Sequence, residues 1–209
     1  MRRLNPMPSA FCLGLLAFGL WPQQHHPPRS QEEYARVLND PKRDAWQMPH
    51  EVLAALALKP DEVVADIGAG TGYFARRFAR HAGTVYAVDI DEKRLELAAR
   101  DAPANLKTIH ATPADPRLPG AGIDTIFFCN VLHHIENRPA YYQKLAVALK
   151  PGGRVVIVDF HKKSLPVGPP ESMKLSEEQV VLELEAAGFR KARAHALLPY
   201  QYFLEFTPR

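Results

Sequence analysis

The sequence is poor in cysteine, in charge imbalance and in long apolar runs, and each scarcity closes off a class of protein. Its two cysteines, Cys12 and Cys129, are too few for a disulfide framework or a cysteine-built metal site, and no metal is expected. Cys129 lies in an apolar run and reads as a buried thiol. Cys12 falls inside the first apolar stretch rather than after it, so no lipoprotein pattern fits. The formal charge is only +3. Much of the basic excess sits in Arg2 and Arg3 and in Arg190, Lys191 and Arg193, with no aromatic residues interleaved. That pattern reads as a leader and a solvated strand edge, and no nucleic-acid partner is expected. The apolar stretch from Ala10 to Trp21 falls short of the about 20 residues of a membrane-spanning helix. No internal repeat is visible.

What is present divides the chain in two. Residues 1–30 have a basic start, an apolar core, Ala17-x-Gly19 as a cleavage site and a polar, proline-rich segment from Pro22 to Ser30. They resemble a secretory signal, which implies export or tethering to a membrane. Residues 31–209 form the second part. In a 209-residue chain that is 46% hydrophobic, they suffice for one domain with a sizeable core and not for two.

In that second part helical and strand patterns alternate, which predicts an α/β fold with a largely parallel sheet. Residues 31–39 read as a short helix. Pro49 opens another, with Val52, Leu53, Leu56 and Ala57 on one face. Strands are expected at 62–67, 85–89, 106–110, 123–129 and 154–159. Between them come helices over 73–81, from Asp91 as cap through Arg100, and from near Pro139, where Tyr141, Leu145, Ala148 and Leu149 share a face. Lys150-Pro151-Gly152-Gly153 reads as the turn into the fifth strand. A loop from Phe160 to Leu175 precedes a last helix with Ser176 and Gln179 as capping box and Gly188 at its end. Two more strands, 191–196 and 201–207, are joined too tightly to be parallel neighbours and must pair antiparallel. The expectation is a Rossmann-like, doubly wound, seven-stranded sheet, mostly parallel with an antiparallel C-terminal strand.

Chemistry enters at Asp66-Ile67-Gly68-Ala69-Gly70-Thr71-Gly72, which follows a buried strand and opens a helix. That setting is where a glycine-rich turn signals nucleotide binding. A dinucleotide site reads G-x-G-x-x-G with a pyrophosphate at the helix N-terminus. Here the third glycine comes one position early, and Tyr73 stands where that pattern needs glycine. Asp66, two residues before the first glycine, can help receive a cationic amino group. Asp89 ends the next strand and can accept both ribose hydroxyls, which excludes a 2′-phosphate. A nucleoside ligand with an amino-acid end and no phosphate suits these residues.

At these positions the sequence resembles the class I S-adenosylmethionine (SAM)-dependent methyltransferases. It is most similar to the small-molecule branch (methyltransferase type 11) that includes the ubiquinone and menaquinone C-methyltransferases. The resemblance spans about Tyr34 to Phe206. It rests on Val64 to Gly72, Val88-Asp89-Ile90, Asn130-Val131-Leu132-His133-His134-Ile135 and Leu149-Lys150-Pro151-Gly152-Gly153. It implies that Gly68, Gly70, Gly72 and Tyr73 surround the methionine part of SAM, that Asp89 and Ile90 hold the ribose, and that Asn130 borders the methyl group. The family often places an aspartate over the adenine; here Thr112 aligns best, with Asp115 three residues on, and either could supply the acceptor. Tyr34, Trp46, Gln47 and Met48 stand where the family builds a lid.

Methyl transfer depends chiefly on placing the acceptor in line with the methyl group, and a base is needed only when the acceptor must lose a proton. Candidates at the carboxyl ends of the fourth and fifth strands are His133, His134, Asp159 and His161. Adjacent histidines on a helical turn are not expected to face one pocket together. Asp159 alone makes no metal site, which argues against catechol-type chemistry. The absence of an Asn-Pro-Pro-Tyr sequence after the fourth strand argues against amide or base-amino substrates. The leading expectation is an enzyme that methylates a small or lipid-like molecule. The alternatives are a SAM-binding protein without catalysis and, less favoured by the glycine spacing, an NAD-dependent oxidoreductase. SAM is made in the cytosol, so the leader and the donor point to opposite sides of a membrane.

Overall fold

The computed structural model describes residues 36–209. The leader, Tyr34 and most of the helix expected over 31–39 lie outside the described residues. Residues 36–38 are helical and a 3₁₀ turn spans Pro41–Arg43; two short helices follow, α1 (Asp44–Gln47) and α2 (Pro49–Leu56). The sheet strands are β1 (Val63–Ile67), β2 (Thr84–Asp89), β3 (Leu106–His110), β4 (Ile123–Cys129), β5 (Leu149–Phe160), β6 (Phe189–His195) and β7 (Gln201–Pro208). The remaining helices are α3 (Ala75–Phe78), α4 (Glu92–Ala99), α5 (Arg138–Ala148) and α6 (Glu177–Ala186).

The strands form one seven-stranded sheet in the order β3-β2-β1-β4-β5-β7-β6. β1 to β5 pair in parallel, and β7 inserts antiparallel between β5 and β6. The doubly wound, mostly parallel architecture is therefore as expected. Alternation along the buried strands sends neighbours to opposite cores: Phe127 joins Val52, Phe78 and Leu95 from α2, α3 and α4, whereas Ile126 and Phe128 join Leu145 and Leu184 from α5 and α6. The strand order reverses between β1 and β4, and this switch point opens a crevice at their carboxyl ends.

Local chemistry sets most boundaries. Asp91 accepts from Arg94 N (3.2 Å) and Asn137 from Ala140 N (3.4 Å), capping α4 and α5. Ser176 accepts from Gln179 N (3.1 Å), but the Gln179 side chain donates to Glu183 rather than back to Ser176, so only half of the capping box forms. The helix expected over 73–81 is only four residues long, because turn geometry occupies both of its ends. Ala57 is exposed with φ 47° and ends α2 instead of joining its buried face. Residues 150–153 keep the expected turn within the long β5, with Gly152 at φ 81° and a register shift against β4. Arg190, Lys191 and Arg193 are exposed on the edge strand β6, as expected of a solvated edge.

Candidate functional site

A cavity of about 850 Å³ opens at the crevice between the ends of β1 and β4. Its floor is the glycine turn. Gly68 sits at φ 69°, and its N–H and that of Ala69 donate to Val88 O (2.7 and 3.0 Å), which bends the chain sharply out of β1. A Cβ at Gly68 would collide with the Val131 side chain, so this position has no room for another residue. Gly68, Gly70, Asp66, Tyr73, Asp89, Ile90, Thr112, Asn130, His133 and His134 all line the cavity. Gly72 does not; it turns away against Ala98. Asp115 also lies outside the lining, where it pairs with Lys144 (2.7 Å), so of these two residues Thr112 is the one that lines the cavity.

The two carboxylates of the lining differ in environment. Asp89 is 5% exposed and accepts from Gly70 N (2.8 Å) and Asp91 N (3.0 Å), so its oxygens are fixed before any ligand arrives. Asp66 is 2% exposed, and burial pushes its carboxyl up to about 7, against the pull of the Ala75 backbone and Arg43. A buried carboxyl held at that point gains from a cation beside it.

The residues before β1 close the cavity from above, and the sequence reading singled out only some of them. Arg43 lines the cavity with its guanidinium 3.9 Å from the Tyr73 ring centroid, and its Nε is buried without a hydrogen-bond partner among the described residues. It is the cation placed to meet a ligand carboxylate. Tyr73 donates to Asp44 (2.5 Å), and Arg77 stacks on the other side of the ring, so Tyr73 anchors this segment as well as lining the site. Trp46 lines the cavity and meets Phe160 at 5.7 Å.

Gln47 takes a role not foreseen. Its Nε2 donates to Gln201 Oε1 (3.1 Å), Gln201 Nε2 donates to Asn130 Oδ1 (2.6 Å), and Asn130 Nδ2 donates to Gln47 Oε1 (3.0 Å). The ring ties α1 and β7 to Asn130, whose φ of 58° is left-handed. Gln201→Ala would leave the buried Gln47 and half-buried Asn130 amides short of partners and is expected to destabilise the chain by about 2 kcal/mol, readable from urea unfolding midpoints.

His133 and His134 occupy a single-turn 3₁₀ helix (Leu132–His134) beyond β4. Both line the cavity, with ring centroids 4.2 Å apart, contrary to the expectation that only one could. The turn stands on the strand end at the crevice, so the cavity wraps around its tip rather than along one helical face. His133 Nδ1 lies 3.0 Å from both oxygens of Asp159, and the two side chains are 3% and 1% exposed. Burial, and then His133 beside it, hold the His134 imidazole below its ordinary value. His161 packs on Tyr202 and is absent from the cavity lining. Cys129 is half-buried in the wall rather than fully buried; desolvation pushes its thiol up to about 12, which removes it as a nucleophile.

The donor set therefore fits a nucleoside with a cationic amino-acid end: an acidic ribose acceptor at Asp89, Asp66 and Arg43 for opposite charges, and a glycine cradle a side chain would fill. Residues 65–157 match the family described as a methyltransferase domain. An uncharacterized methyltransferase of Mycobacterium bovis is 36% identical over 115 residues, covering 54% of this chain and 58% of that relative. A demethylmenaquinone methyltransferase of Tropheryma whipplei is 33% identical over 107 residues, covering 50% of this chain and 44% of that one. The chain thus spans about half the length of the curated relatives it matches. A SAM-dependent methyltransferase from Aquifex aeolicus superimposes with a TM-score of 0.78 at 26% identity, over 83% of this chain and 96% of that structure. With its sheet order, glycine turn and acidic second strand end, the chain has the fold of the SAM-dependent methyltransferases, and residues 65–157 within it match a methyltransferase domain.

Proposed function

We propose that the protein transfers the methyl group of SAM to a small-molecule or lipid-like acceptor by in-line displacement, mainly through positioning. The observation that carries this reading is the cavity in which Asp66, Asp89 and Asn130 share one space with the histidine pair. SAM supplies a methyl group on a sulfonium, already a good leaving group. The chain's task is to hold both partners: Asp89 the ribose, Asp66 and Arg43 the amino-acid end, and Thr112 the adenine edge. His133 or His134 serves as base when the acceptor carries a proton. The apolar part of the lining (Val37, Trp46, Phe160) suits an acceptor with a greasy body. A menaquinone-type relative is in keeping with that class.

The direct test is calorimetric titration of the full chain with SAM and with NADH, then transfer of labelled methyl to a quinol, phenol, thiol and lipid panel. SAM binding with turnover is expected; NADH binding without SAM binding would overturn the reading. The leader is proposed to tether the domain to a membrane on the side where SAM is made. Fractionation of cells expressing a C-terminally tagged chain checks this, and recovery of a fully exported protein would refute it.

Asp66 adds a pH signature. Its folded-state carboxyl is raised to about 7 from the ordinary 3.8, so the neutral form is the favoured one in the ligand-free protein. Stability from this group is fully present below the ordinary value and is lost as pH rises through about 7. A cationic amino group beside Asp66 reverses the preference, so SAM binding below that pH is expected to release a proton. Titration in buffers of different ionisation enthalpy reads this directly, and Asp66→Asn should abolish the release.

A further inference from the structure

We propose that His133 and Asp159 act as one base, and that the acceptor is therefore a molecule that gives up a proton from oxygen or carbon as it is methylated. This rests on the function proposed above and names its substrate class. The carboxylate approaches Nδ1 with both oxygens at 3.0 Å, and Oδ1 also accepts from Phe160 N (2.8 Å). Asp159 is 1% exposed at the end of β5, so it can turn neither to solvent nor to another cation. A buried carboxylate must be met by a donor, which places the neutral ring's proton on Nδ1. The lone pair is then on Nε2, which has no hydrogen-bond partner among the described residues, and His133 lines the cavity.

His134 differs in kind. Its ring lies against His133 at an interplanar angle of 45°, but no hydrogen bond orients it among the described residues, so neither tautomer is favoured by a partner. The other charged or titratable groups of the cavity lining are Arg43, Asp66, Tyr73, Asp89, Arg94, Cys129 and Tyr141, and Tyr202 lies across from Asp159 on β7. Arg94 is engaged with Asp89 and Asp91, and Cys129 is a protonated thiol. None of these competes with Asp159 for His133 Nδ1.

The step balances with the groups present. The acceptor's oxygen or carbon forms its bond to the methyl carbon as the carbon–sulfur bond breaks, with that electron pair going to sulfur. The acceptor's proton passes to His133 Nε2, and the resulting imidazolium is stabilised by Asp159 before the proton leaves to solvent. A tertiary amine or a thioether has no proton to give, so the pair would contribute nothing to its methylation. A phenol, an enol or a carbon acid such as a quinol ring position uses it fully.

The test uses the full chain labelled with ¹⁵N-histidine and saturated with S-adenosylhomocysteine, with ring resonances assigned by His133→Gln and His134→Gln. In mildly alkaline buffer His133 is expected as the Nδ1–H tautomer with a deshielded Nδ1 proton, and Asp159→Asn should abolish that preference. In parallel, labelled SAM is offered with hydroquinone, 4-nitrophenol, a 1,3-diketone and N,N-dimethylaniline. Transfer to the first three and not the amine is expected, falling roughly 100-fold or more in Asp159→Asn while SAM affinity is retained. An Nε2–H tautomer, or transfer to the amine that Asp159→Asn leaves intact, overturns the proposal; the tautomer decides it even if no probe is turned over. A chain that binds no SAM overturns the function itself, whereas SAM binding with the Nε2–H tautomer overturns only the pair.

Discussion

Asp89→Ala is expected to weaken SAM binding by roughly 100-fold or more, the largest loss of affinity at any single side chain of the site. The carboxylate is 5% exposed and held by Gly70 N and Asp91 N, so in the proposed site it would meet the ribose hydroxyls without reorganising. Alanine removes the charged acceptor of two hydroxyl donors, and charge-assisted hydrogen bonds are the strong ones. It also frees two backbone N–H groups, one of them in the glycine turn. Asp89→Asn keeps an acceptor and loses the charge, so its affinity should fall between those of the native chain and the alanine variant. Calorimetry on folded protein, checked by circular dichroism, reads the series. An alanine variant that binds SAM as the native chain does would remove Asp89 from the ribose site.

Gly68→Ala is expected to lower folding stability by about 2–5 kcal/mol and to abolish SAM binding in whatever folds. Two separate terms add. The left-handed φ of 69° costs an L-residue about 1–2 kcal/mol. The methyl group would enter the space of the Val131 side chain, and overpacking of that kind costs about 1–3 kcal/mol. The sum is a large part of a stability of about 5–15 kcal/mol. The two terms can be separated with Val131→Gly, since a Val131 Cβ alone would still lie 2.8 Å from the new methyl group. In the double variant the collision is relieved and the backbone strain is not, so urea midpoints should recover in part. Full recovery would show that φ strain contributes nothing at this turn.

The readings that held were those in which neighbours in the chain are neighbours in space. The strand–turn–helix at 66–72 is local, so glycine spacing alone separated it from a dinucleotide turn. Caps at Asp91 and Ser176 act on backbone N–H groups three residues on, although Gln179 was drawn away from its half of the box by Glu183 on the next turn. The choice left open between Thr112 and Asp115 was not local either: Lys144 from α5 pairs with the Asp115 carboxylate outside the cavity lining. Arg43 had no signal at all, since one arginine in a short polar turn looks like any solvated residue until the segment folds back over the glycine turn.

The sequence by itself determined the alternating α/β pattern, the antiparallel end of the sheet, the glycine turn and the two acidic residues that line the cavity. Hydrophobic period, turn chemistry and spacing along one βαβ unit are local properties, so a linear reading reaches them. Only the tertiary structure decided which groups meet across the switch point. Asp159 lies 26 residues from His133, and Gln201 lies 71 from Asn130 and 154 from Gln47. Those pairs exist because parallel strands β4 and β5 end side by side and β7 runs back between β5 and β6. Burial then forces each carboxylate and amide to take the partner at hand, and no spacing in the chain encodes that choice.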